Sequence, residues 1–180
     1  MYDLNFFPPM DLTNHSVGNL LKSLAGLDAF DLIFLLTAIA FNLLIAGIFI
    51  AQKKRRPELT RIFGVLWLSL AIPLAVVFIH YLIVGRDLWV LVYFGFIFIY
   101  IIVELLLDYV LKIELRKKWI THAPYIILEY IALFGLIGIS FSMDRTWGFL
   151  VSISFWILLV CLIYLYSGRN KEISEKTEHV

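Results

Sequence analysis

Five long apolar runs constrain this chain more than any other feature. They cover roughly Leu32–Ala51, Ile62–Val84, Leu88–Leu111, Tyr125–Ser142 and Trp147–Tyr166. A helix needs about 20 apolar residues to cross the hydrocarbon core of a bilayer. Each run approaches or exceeds that length, and none alternates apolar with polar residues as a membrane β-strand would. The expected fold is an all-α integral membrane protein, a bundle of five transmembrane helices. Composition agrees: 62% of residues are hydrophobic and 16% charged, against about half and about a quarter in soluble domains. A net charge of +1 provides no global field toward phosphates, which argues against a nucleic-acid partner. The single cysteine, Cys161, excludes an intramolecular disulfide framework and a Cys-based zinc site.

The charges between the runs predict an orientation. Lys53, Lys54, Arg55, Arg56 and Arg61 follow the first run; Lys112, Arg116, Lys117 and Lys118 follow the third; Arg169, Lys171 and Lys176 follow the fifth. The other side has only Lys22, Arg86 and Arg145. Basic residues concentrate on the cytoplasmic side of membrane proteins. The N-terminus is therefore expected outside and the C-terminus in the cytoplasm, an arrangement that needs an odd number of crossings. Trp89 and Trp147 then fall at outer span ends and Trp119 at an inner one, where aromatic belts form.

Three regions follow: an outer N-terminal segment (1–30), a five-helix membrane domain (31–167) and a polar cytoplasmic tail (168–180). The N-terminal segment lacks the basic start, apolar core and cleavage site of a signal peptide. Val17, Leu20, Leu21 and Leu24 share one helical face, with Asn19, Lys22 and Ser23 opposite. That pattern predicts a short amphipathic helix lying in the outer interface. Asn14-His15-Ser16 is a glycosylation sequon, meaningful only on a eukaryotic secretory route. Asp28 and Asp31 stand at the start of the first span, where the positive helix end favours a carboxylate.

Function is sought in the few polar residues inside the spans, because an ionisable group in hydrocarbon costs about 2.5–3.5 kcal/mol or more. Glu104 lies in the third span and Glu129 in the fourth. At 1.5 Å per residue both fall roughly 10 Å from the cytoplasmic interface, so facing helices bring them into one layer. No Lys or Arg lies inside any span. Two outcomes are expected: the carboxyls hold a proton, through desolvation and mutual repulsion, or a cation sits with them. Asp108, one turn beyond Glu104, is either the cytoplasmic mouth of a path to Glu104 or the partner of a snorkelling Lys112. Tyr100 shares the broad face of Glu104 and is the tyrosine best placed to donate to it; Tyr125 stands one turn from Glu129.

Asn42, at the middle of the first span, stands in the stripe Ala38, Asn42, Ala46. It is expected to supply an interhelical hydrogen bond, with a third ligand to the carboxylate site as the alternative. On the second span Pro73 frees the carbonyl of Ser69 and is expected to kink the helix. His80, near the outer end of that span, marks an outer-side pocket. On the fourth span Gly138 and Ser142 predict close helix packing; the serines of the fifth span suggest no role.

No Ser/His/Asp arrangement, HExxH or phosphate-binding loop appears. No cofactor or metal is expected, and enzymatic activity is disfavoured. The reading that best fits is a small multi-pass membrane protein acting as a proton-coupled or cation/small-molecule transporter or binder. One alternative is an accessory or assembly subunit of a larger membrane complex. Another is a membrane enzyme or receptor for a sterol- or isoprenoid-like ligand, held among Phe94, Phe96, Phe98, Phe134, Phe141, Phe155 and Trp156. Expected partners are the lipid bilayer, further copies of the chain or other membrane subunits, and a small cation, proton or lipid-like ligand. The expected location is the plasma membrane or, in a eukaryote, an endomembrane.

Overall fold

The computed structural model describes residues 27–107 and 119–167, with backbone alone for 119–123. The predicted interfacial helix, Asp108, the basic segment around Lys112–Lys118 and the polar tail lie outside the described residues. Among the described residues there are six helices: α1 (Ala29–Lys53), α2 (Pro57–Ser69), α3 (Ala71–Val84), α4 (Leu88–Leu105), α5 (Trp119–Met143) and α6 (Arg145–Ser167). α2 and α3 together make one broken span, so five stretches of the described residues are long and apolar enough to cross a membrane. Among the described residues there is no strand.

Local chemistry sets the boundaries. Asp28 caps α1, its side chain accepting from the Ala29 amide at 2.8 Å. α1 ends where the Arg56 amide donates to the Ala51 carbonyl and the Arg55 amide to that of Gln52, both at 3.0 Å. Arg55 adopts φ 51° there, a left-handed position usually given to glycine. Pro57 then opens α2 at its first turn, where a missing N–H is harmless. The expected kink is a break at Leu70, three residues before Pro73. There the Leu70 amide turns to the Trp67 carbonyl at 3.1 Å. α3 closes on Gly85 at φ 72°, and Arg86 donates back to the Tyr81 carbonyl at 3.0 Å. Asp144 starts α6 by accepting from the Thr146 and Trp147 amides at 2.8 and 3.2 Å.

α1 is the organising helix. It packs along α6 and α2, and also touches α3 and α5; α5 lies between α4 and α6. The Lys53 ammonium donates to the Leu165 carbonyl at 3.3 Å, so α1 and α6 run in the same direction. Phe34, Leu35, Phe41, Phe94, Ile97, Leu133 and Leu136 are fully enclosed. Many other apolar side chains face outward, up to 79% exposed at Ile83. Where that surround is lipid, cohesion comes from van der Waals packing and interhelical hydrogen bonds, not from expulsion of water.

The packing corrects one detail of the glycine pattern. A Cβ on Gly135 would meet Tyr93 Cδ1 of α4 at 2.9 Å, whereas one on Gly138 has open space around it. Ser142 is exposed. The close approach of α5 thus uses Gly135, not the Gly138/Ser142 pair.

Candidate functional site

The two carboxylates in the spans lie near the same pair of phenols at the α4/α5 interface. The Tyr125 hydroxyl of α5 donates to Glu104 Oε2 of α4. Tyr100 is 2% exposed, and its ring lies 6.0 Å from that of Tyr125. Glu104 and Glu129 both lie close enough to act electrostatically on the Tyr100 and Tyr125 phenols. Two carboxyls and two phenols therefore share one neighbourhood, each half-buried except Tyr100. Tyr100 anchors this group to the core, with Trp67 edge-on at 5.6 Å and Phe41 at 6.3 Å. The sequence pattern points to Tyr100 as donor to Glu104; the structure gives that bond to Tyr125. The antiparallel run of α4 into α5 explains it, because Tyr125 in the first half of α5 stands opposite Glu104 at the end of α4.

Asn42 is fully buried and turns elsewhere. Its amide nitrogen donates to Ser154 Oγ at 2.8 Å and reaches the Val151 carbonyl at 3.5 Å. It therefore joins α1 to α6, the interhelical role expected of it, and these bonds run away from the carboxylates. Its Oδ1 is buried with no hydrogen-bond partner among the described residues, as are the indole nitrogens of Trp67 and Trp147.

A second polar group occupies the opposite end of the bundle. Asp31 is buried and takes a bond from the Tyr81 hydroxyl at 2.6 Å. It also pairs with Arg86, at 2.9 Å to each carboxylate oxygen. The Arg86 guanidinium lies 5.1 Å from the centroid of the Tyr81 ring. Beside it, His80 stacks on Phe30 at 3.7 Å. Its Nε2 stands 3.2 Å from Asp28 Oδ2, an ion pair when the imidazole is protonated. The Asp31–Tyr81–Arg86 group was missed from sequence. A signal existed, since the predicted topology already placed Asp31 and the Gly85–Arg86–Asp87 turn at the same end.

No family model, characterised protein or solved structure matches this chain. Among the described residues no group of three or more His, Cys, Asp or Glu is placed to hold a metal ion. Of the aromatic residues considered for a lipid-like ligand, Phe134, Phe141 and Trp156 point outward, while Phe94 and Phe155 fill the core. The group at α4/α5 offers acidic oxygens and phenolic donors, which suit exchange of a proton or contact with a small cation.

Proposed function

We propose that Glu104, Glu129, Tyr100 and Tyr125 form the proton- or cation-binding site of a small membrane transporter or binder. The observation that carries this reading is the Tyr125 hydroxyl donating to Glu104 across the α4/α5 seam, with Glu129 in the same electrostatic neighbourhood. Two acidic groups held close in a low dielectric resist simultaneous ionisation, so the pair shares a proton or gathers a cation. The phenol steadies the charged form of Glu104 by donating to it. Protonation would remove that preference and reset the hydrogen bond, which couples site occupancy to the α4/α5 contact. A homo-oligomer is part of this proposal, because five spans enclose little volume for a pathway.

The test uses the full chain in proteoliposomes with a pH dye trapped inside. A pH step should drive proton movement and an infrared carboxyl band that changes with protonation. Glu104→Gln and Glu129→Gln should each abolish the flux, and Tyr125→Phe should shift its pH dependence. Undiminished flux in both Gln variants removes the proposal.

A further inference from the structure

We infer that the basic turn between α1 and α2, with the outward face of α2 below it, is a docking surface for anionic phospholipid. Lys54, Arg55, Arg56 and Arg61 are all exposed. Glu58 is the one acidic residue between positions 53 and 61. Lys53 is committed to the bundle, through the Leu165 carbonyl and the Tyr164 ring 5.3 Å away. The neighbouring cations are thus held at the rim of a fixed helix pair. Directly along α2 come Leu59, Ile62, Val65 and Leu66, each 38–54% exposed. One short helix therefore presents charge at its start and bare apolar surface over the next two turns.

That sequence of properties is complementary to an amphiphile. A phosphodiester oxygen accepts charge-assisted bonds from Arg and Lys, and an acyl chain lies against the Leu59–Leu66 face. A zwitterionic headgroup offers the same phosphate but cancels its charge, so the surface selects lipids with net negative charge. The other end of the bundle lacks this chemistry among the described residues. There Arg86 is engaged by Asp31, and Arg145 lies 5.9 Å from the Phe149 ring.

The experiment reconstitutes the full chain in phosphatidylcholine bilayers with trace spin-labelled phosphatidylglycerol or spin-labelled phosphatidylcholine. Electron paramagnetic resonance reads the protein-associated fraction of each label. The wild-type chain should favour phosphatidylglycerol, and added salt should weaken that preference. A basic residue near an anionic surface is worth up to about fivefold in partitioning. The triple variant Lys54→Gln/Arg56→Gln/Arg61→Gln should therefore lower the preference by about twofold or more, while Arg145→Gln leaves it unchanged. If the triple variant does not reconstitute as a helical protein, Arg61→Gln alone is read, with a smaller drop expected. Equal association of both lipids with the wild-type chain, or a preference that survives the substitutions, overturns the inference. Displacement of the labelled lipid by excess inorganic phosphate at constant ionic strength also overturns it, and assigns a soluble-anion site instead.

Discussion

At the scale of single residues, the Asp31–Arg86 pair shows how one charge can be tolerated near the end of an apolar bundle. Asp31 is enclosed while Arg86 stays partly exposed, so the pair lies between a surface bridge, worth about 0–1 kcal/mol, and a buried one, whose breakage costs about 3–5 kcal/mol. Asp31→Asn keeps an acceptor for Tyr81 and removes only the charge. It should destabilise the protein by about 2 kcal/mol, and adding Arg86→Gln should cost little more. Detergent unfolding of both single variants and the double variant gives the coupling; purely additive losses would refute it. The carboxylates themselves were legible in the sequence because any acid in an apolar run stands out. Their partners were harder to read. Spacing marks Tyr125 only as a neighbour of Glu129 and gives Ser154 no role, because a partner across a helix seam leaves no mark in local spacing.

At the scale of elements, the apolar runs located every span, and chain breakers located most ends. Pro73 predicted the discontinuity in the second span, and the break falls at Leu70 because the proline ring cannot accommodate, or donate to, the turn before it. The small-residue pattern on α5 was less informative. Gly135 and Gly138 look alike in sequence, yet only Gly135 faces the Tyr93 side chain. The face a glycine presents depends on how far α5 is rotated, and a helix that is apolar all round carries a weak signal of its rotation. Alanine substitution separates the two. Gly135→Ala should cost about 1–3 kcal/mol, the range for forcing an extra methyl group into packed space. Gly138→Ala should be neutral or slightly stabilising, through better helix propensity. Equal effects in a detergent-unfolding assay would show that α5 is rotated differently.

At the scale of the whole molecule, the parallel course of α1 and α6 limits how the chain can sit in a bilayer. Parallel α1 and α6 fit an odd number of crossings, with the start of α1 and the end of α6 at opposite ends of the bundle. The break at Leu70 does not alter this, because α2 and α3 continue as one span. The uneven distribution of Lys and Arg supplies the expectation of which end faces the cytoplasm. In a Cys161→Ala background, Arg56→Cys and Thr146→Cys put one thiol at each end of the bundle, both at exposed positions. A membrane-impermeant maleimide should modify position 146 from outside intact cells and position 56 only in inverted vesicles. Labelling of both from the same side would break the five-crossing arrangement. Reversed labelling would keep the bundle but overturn the charge-based orientation. The result also bears on the α4/α5 site: with the expected orientation Glu104, Glu129 and Tyr125 lie nearer the cytoplasm and the Asp31–Arg86 pair nearer the outside. A proton arriving from outside would then have to pass the enclosed core around Phe94 and Ile97, whereas one from the cytoplasm would not. Flux started by an inward pH step should therefore depend on opening of the bundle, while binding from the cytoplasmic side should persist in a bundle that stays closed.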